Sequence, residues 1–250
     1  MKNLFLFLFL LVVFTSKAQD NRVSGLNSRQ FTKYWKVESE SPDYKVTFQG
    51  DTAEIVSPKG LTLWRKEKMS GKVTIEYDAC VVVESDGDRL SDLNCFWMAS
   101  DPQYPDNLWK REKWRSGIFL NCYSLQLYYL GYGGNHNSTT RFRRYDGDES
   151  GITNPKARPA ILKEYTDAGH LLKPNHWYHI KITNENNRVS YYIDGERLVD
   201  FRDAEPLREG WFGFRTTLSR TRITNFSYEC SSQEATAVPL LCNGLVRLPG

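Results

Sequence analysis

The chain has 250 residues, 33 of them Lys or Arg and 30 Asp or Glu, for a formal net charge of +3. Lys2 and Lys17 sit in an N-terminal leader, and without them the charge is close to zero, which excludes nucleic acid as a partner drawn by bulk charge. The five cysteines, Cys80, Cys95, Cys122, Cys230 and Cys242, are odd in number and lack both CxxC and zinc-ligand spacing, which excludes a zinc ribbon and leaves at least one thiol unpaired.

In chain order, Lys2 precedes an unbroken apolar run over 4–14, too short to span a bilayer comfortably. Ser16-Lys17-Ala18 then offers small residues to a signal peptidase, so cleavage is expected after Ala18. The domain reading is therefore a signal peptide over 1–18, a β domain over 19–234 and a C-terminal tail over 235–250. The expected location is periplasmic or extracellular, with no membrane span after cleavage.

Helix signals are scarce. Alternating or apolar runs bounded by Gly, Asp, Asn and Pro predict strands over 45–49, 53–57, 62–64, 73–83, 94–99, 117–119, 124–130, 139–145, 177–184, 188–193, 197–201, 211–216 and 223–229. Connections too short for crossover helices imply antiparallel sheets packed face to face. Asn186-Asn187 and Asp194-Gly195 mark two hairpins, the second with the stronger two-residue signal. Two long stretches, 101–115 and 146–174, lack strand signals, and a short helix is expected near 161–165. Loops of that length in a compact domain are usually functional.

Candidate site residues fall in three regions. In 128–145, Gly131, Gly133 and Gly134 permit close backbone approach, and Asn135, Asn137, Thr139 and Thr140 offer neutral hydrogen-bonding groups. Arg141 and Arg143 should project from the strand face opposite Thr140, Phe142 and Arg144. Aromatic faces with a polar rim suit a sugar ring, and arginine adds a bidentate grip on a carboxylate. In 91–102, Asn94 is a polar residue on an apolar strand, costly unless paired or facing a cleft. Trp97 reads equally as a stacking platform or a core residue, and Asp101 as an acid/base or a turn cap. The third region interleaves Trp109, Arg111, Trp114, Arg115 and Tyr123. Of the histidines, His176 and His179 read as structural, and His136 and His170 as loop candidates for proton transfer. No phosphate loop, metal-binding histidine pair or GxSxG elbow is present.

The stretches 91–102, 128–145 and 175–226 resemble the YesU-like proteins and related domains of unknown function over roughly residues 35–229. That resemblance implies a concanavalin A-like jelly-roll sandwich of two antiparallel sheets, one concave, and a setting of plant cell-wall breakdown, particularly pectin and rhamnogalacturonan. The Glu-x-Asp-x-x-Glu signature of laminarinase-like hydrolases is absent, Glu76-Tyr77-Asp78 lacking the second Glu. No cofactor is expected. Folds of this kind often hold one structural calcium ion, but no Asp-x-Asp-x-Asp-Gly loop indicates it.

The expected ligand is an oligo- or polysaccharide, probed first as anionic, lying across the concave face between 101–115 and 146–174. The activity expected first is β-elimination by a polysaccharide lyase, with hydrolysis and non-catalytic binding as alternatives. β-Elimination would use Arg141 or Arg143, with Asn94 or Asn135, to neutralise a uronate, and Tyr129, Tyr145, His136 or His170 to take the proton. Hydrolysis would pair Asp101 with another carboxylate, among them Glu84, Asp86, Asp92 and Asp146. Non-catalytic binding would need only stacking and hydrogen bonds, with Trp97 and Tyr129 as walls and Arg115, Tyr123, Asn137 and Thr140 as further contacts.

Overall fold

The computed structural model describes residues 22–231. The expected cleavage after Ala18, the tail and Cys242 lie outside the described residues. Fourteen strands follow in chain order: β1 (Val23–Ser24), β2 (Trp35–Ser39), β3 (Lys45–Gln49), β4 (Thr52–Arg65), β5 (Met69–Ser70), β6 (Lys72–Val81), β7 (Leu93–Ser100), β8 (Gln126–Gly133), β9 (Thr139–Asp146), β10 (Lys163–Tyr165), β11 (Tyr178–Glu185), β12 (Arg188–Ile193), β13 (Glu196–Arg202) and β14 (Glu209–Ser231).

All pairings among them are antiparallel, and two long strands, β4 and β14, belong to both layers. The first half of β14 pairs with β7 and with the second half of β4, giving one sheet in the order β10-β9-β8-β7-β14-β4-β2. The second half pairs with β6 and the first half of β4, giving the other, β13-β12-β11-β6-β14-β4-β3. A strand passes from one packed sheet to another through a bend or bulge. Here the register shifts between Thr217 and Ser219, and Leu218, at φ 50°, is expelled from the ladder. The buried hydroxyls of Thr216, Ser219 and Thr221 bond to one another at this corner. The result is an all-β jelly-roll sandwich. Strands expected as separate, 53–57 with 62–64 and 211–216 with 223–229, are single bent strands because pairing continues through the corner.

Three other segments differ from expectation. Residues 117–119 form no strand, because Ser116 and Gly117, at φ 45° and 70°, turn the chain into the helical turn Leu120–Ser124. Around 161–165 the chain forms β10 rather than a helix, since it completes the edge of β9 with Glu164 opposite Arg141. β2, not foreseen, pairs along the second half of β4.

The core between the sheets is rich in aromatic residues. Trp97 is fully buried there, 5.6 Å from Tyr128 and 6.1 Å from Tyr191 between ring centroids and stacked on Phe142, so it is a core residue and not a wall of a ligand site. A second apolar cluster lies on the outer face of the first sheet. Trp64, Phe96, Leu127, Tyr129 and Tyr145 project outward and are capped by Leu108, Cys122, Tyr123 and Leu125 from the segment 101–125. This explains why β7 buries alternate residues on both faces. The four described cysteines are unbridged, and burial pushes the Cys95 thiol up to about 12 and that of Cys122 to about 11, so they act as small apolar fillers.

Charge pins the capping segment. The buried Arg115 guanidinium donates to Glu38 Oε1 at 2.7 Å and Oε2 at 3.2 Å, and to the Leu108 carbonyl at 2.6 Å. Asp101, also fully buried, lies 3.8 Å from Arg115 and accepts two bonds from Arg111, at 2.7 and 2.9 Å. Its Oδ1 also accepts from the Gln103 amide at 3.0 Å. Asp101 is therefore a structural anchor and not an acid/base, and Arg115 is sealed from any substrate. Burial pushes the Glu38 carboxyl above its usual range, with Arg115 opposing.

Two predictions follow from these contacts. In the β12–β13 turn, Asp194 and Gly195 both have positive φ, 51° and 84°, and a β-carbon on Gly195 would meet nothing within 4 Å. Gly195→Val therefore pays only conformational strain, and chemical denaturation should show a loss of about 1 kcal/mol. Arg115→Ala strands Glu38 as a buried unpaired charge and should cost about 3–5 kcal/mol at neutral pH. That loss should shrink in mildly acidic urea titrations, because protonation neutralises Glu38.

Candidate functional site

Strand register alone assembles a transverse row on the outer face of the first sheet. Thr62 lies opposite Arg215, Arg215 opposite Asn94, Asn94 opposite Gly131, Gly131 opposite Arg141, and Arg141 opposite Glu164. The neighbouring row carries Phe96, Tyr129 and Arg143. Because side chains alternate along a strand, all of these share one face. The aromatic cluster fills one end of that face. The rest is a cavity of about 330 Å³ whose lining includes Glu40, Arg89, Asp92, Asn94, Phe119, Tyr123, Tyr129, Asn135, Thr139, Arg141, Arg143 and Arg215.

The cavity is cationic, with four arginines against two carboxylates. Asp92 is occupied: Arg89 Nη1 lies 2.5 Å from its Oδ2, Ser91 Oγ donates to the same oxygen at 3.0 Å, and Asn94 Nδ2 donates to Oδ1 at 3.2 Å. Glu40 is 4.0 Å from Arg215, whose guanidinium also donates to the Gly117 carbonyl and to Thr62 Oγ1 and lies against the Phe119 ring. Arg141 pairs with Glu164 at 2.5 Å. Arg143 donates to the Pro159 carbonyl and has no carboxylate partner among the described residues. Asn94 is 6% exposed, and its Oδ1 has no hydrogen-bond partner. A buried amide oxygen left in this state is costly.

Tyr129 supplies the aromatic floor. Its ring packs beside Phe96 and Phe119, and its hydroxyl lies over Gly131, where any β-carbon would collide with it. Burial pushes the Tyr129 phenol well above its usual range, with Arg215 and Arg143 only partly offsetting it. Tyr123 is raised by burial in the same sense.

Of the residues singled out in the sequence, the cavity gathers Asp92, Asn94, Tyr123, Tyr129, Gly131, Gly134, Asn135, Thr139, Arg141 and Arg143. The others lie elsewhere. Tyr145 is fully buried beneath Tyr123, its hydroxyl unpartnered, so it cannot reach a substrate. Thr140 faces away, accepting from the Gly133 amide and donating to the His170 carbonyl at 2.6 Å. Asn137 clasps Leu172 through both its amide atoms and serves the loop rather than a ligand. His136 sits exposed on the β8–β9 turn at φ 58°, outside the cavity lining. His170 packs on Tyr165 at 4.1 Å between Asp167 and Glu196, away from the cavity. Glu84 pairs with Arg220 and Arg222, and Asp146 with Arg144, so neither faces Asp101. Sequence reasoning missed Arg215, Arg89, Glu40 and Phe119. Arg215 carries a weaker form of the signal that marks Asn94, a charged residue directly after the apolar run Trp211–Phe214.

Among the described residues no three His, Cys, Asp or Glu side chains converge to hold a metal ion. No described helix is long and apolar enough to cross a membrane.

The fold is an all-β sandwich, and solved structures with galectin-like and lectin folds are similar to it. A protein of unknown function with galectin-like fold from Bacillus subtilis superposes with a TM-score of 0.66 at 16% identity, covering 85% of this chain and 96% of its own. The carbohydrate-binding module CBM66 from Bacillus subtilis gives 0.52 at 17% identity, covering 78% and 94%. The exoplasmic/lumenal domain of VIP36, in a Ca2+/Man3GlcNAc-bound form, gives 0.56 at 8% identity, covering 88% and 92%. At such identities the likeness is one of fold. The chain itself belongs to the DUF6250 family, a domain of unknown function, whose model matches residues 55–226. No curated protein matches it in sequence.

The clasp at His170 is sensitive to pH. Partial burial alone would lower the imidazole pKa, but Asp167 and Glu196 outweigh it and raise it. The protonated form is thus favoured in the folded state, and its stabilisation is complete below the ordinary histidine value of about 6.5 and lost as pH rises through the raised value. Hydrogen exchange of 167–172, corrected for intrinsic rates, should be slower at mildly acidic than at mildly alkaline pH. His170→Ala should abolish the difference.

Proposed function

We propose that the protein is an exported sugar-binding protein whose cavity holds an anionic saccharide, a uronate. The observation that carries this reading is Arg143, a cavity-lining guanidinium without a carboxylate partner among the described residues, together with a second lining arginine, Arg215, whose nearest carboxylate is 4.0 Å away. A sugar carboxylate would provide the missing charge through a charge-assisted, bidentate contact. The Tyr129 and Phe119 faces would pack against C–H surfaces. Sugar-binding proteins occur on the same fold, which agrees with the reading. Export through cleavage after Ala18, and a setting of pectin or rhamnogalacturonan breakdown, are parts of the same proposal.

The proposal favours recognition over β-elimination. Elimination needs a group in the cavity that accepts a proton near neutral pH. Of the residues considered for that role, Tyr129 alone lines the cavity, and burial holds its phenol protonated. Hydrolysis by paired carboxylates is disfavoured as well, because Asp92 is tied to Arg89, Ser91 and Asn94.

The test is calorimetric titration with galacturonate and with neutral galactose, alongside assays on oligogalacturonate for unsaturated products and new reducing ends. Galacturonate should bind and galactose should not, with neither product formed. Arg143→Ala should lose about 2 kcal/mol or more of binding while the fold persists, since the residue is half-buried on an outer face. Unchanged affinity of Arg143→Ala for galacturonate, or release of unsaturated products, would overturn the reading.

A further inference from the structure

We infer that the cavity takes the terminal sugar of a chain, or a short branch, and not an internal stretch of polysaccharide; the inference rests on the sugar-binding reading above. A chain bound at an internal stretch must enter and leave, so it needs a groove open at two ends. Here each of the four directions along the sheet in which such a groove could run out is bounded.

Across the strands, the Arg215 side ends in backbone. Gly117 packs directly onto β2 and β4, so close to the Gly60 carbonyl and the Ser39 α-carbon that neither Gly60 nor Gly117 has room for a β-carbon. The Gly117 carbonyl accepts from Arg215 there, and Glu40 stands beside it. This wall is fixed, because Arg115, two residues earlier in the chain, is locked to Glu38 on β2.

The opposite side ends at the edge strand β10. Arg141 is tied to Glu164 on that strand, and Arg143 to the Pro159 carbonyl in the segment leading into it. Both arginines thus face the cavity with their outer ends bound to the wall. Along the strands, the aromatic cluster stops the floor: Phe119 lies 5.5 Å from Tyr129 and 5.9 Å from Tyr123 between ring centroids.

At the remaining end, Arg89 joins Asp92 to the Thr217 carbonyl at 2.8 Å and forms a rim. What remains is the opening to solvent above a volume of about 330 Å³. That is near the lower bound of roughly 300–1,000 Å³ for small-molecule sites and suits one or two sugar rings. Functional groups on every wall point at the same small volume, which is the arrangement for gripping one residue from all sides.

The experiment is a length series. The full-length mature protein is titrated calorimetrically with galacturonate from monomer to hexamer and with long polygalacturonate of known chain concentration. The expected result is affinity per molecule that stays within about threefold beyond the dimer, with one protein bound per polymer chain end. Affinity that climbs at every added residue, with many proteins bound along each polymer, overturns the terminal-sugar inference and leaves anionic recognition standing. Absence of binding across the whole series overturns the anionic-sugar reading and this inference with it. A second variant guards the result: Glu164→Ala, which loosens one wall without removing a cavity arginine, should raise the affinity for the hexamer relative to the monomer. An unchanged ratio would count against β10 as a wall.

Discussion

The site depends on one buried ion pair, Arg115 with Glu38. Two charges removed from water are costly, and only close, well-directed bonds recover that cost. Here Arg115 reaches both oxygens of Glu38 and a backbone carbonyl, and Asp101 and Arg111 extend the network along the segment. The pair fixes an otherwise irregular stretch of chain to β2. Once fixed, that stretch can cap Trp64, Phe96, Tyr129 and Tyr145, which would otherwise leave a broad apolar surface on the sheet. The same anchoring sets Gly117 against Gly60 and so makes the back wall of the cavity.

Charge is distributed with the opposite logic inside the cavity. Around Arg115 every cation meets a carboxylate at short range. In the cavity, carbonyl oxygens of Gly117 and Pro159 orient Arg215 and Arg143 but do not neutralise them. A carbonyl dipole positions a guanidinium and leaves most of its field directed outward. Such an arrangement is pre-organised, since the binding groups lose little freedom when a ligand arrives.

The fold is shared with proteins of very different surfaces, and fold alone does not assign chemistry. In this chain the outer sheet face is reworked by the 101–125 segment at one end and by the stretch before β10 at the side. A face that could have been a long open trough is thereby reduced to a pit. The corner-turning strands β4 and β14 make this possible, because they carry Thr62 and Arg215 at the pit's edge while also tying the two sheets into one hydrogen-bonded ladder.

The sequence by itself determined the layered β architecture, the Asp194-Gly195 turn, and the face shared by Arg141 and Arg143, since each follows from local chemistry: alternation, turn preference, and the two-residue period of a strand. Asn94 was legible for the same reason, as a polar group in an apolar run. Only the tertiary structure decided which side of β7 faced the core, and so made Trp97 filler and Asn94 lining. Both faces of that strand are apolar, and periodicity cannot rank two apolar faces. It also decided that Arg115 was an anchor, because an ion pair across 77 residues of chain leaves no local trace. The loss of Tyr145 beneath Tyr123, the sheet switch at Leu218 and the entry of Arg215 into the site are likewise long-range events. They follow from which segments cover which, a property of the packed chain and not of any window of its sequence.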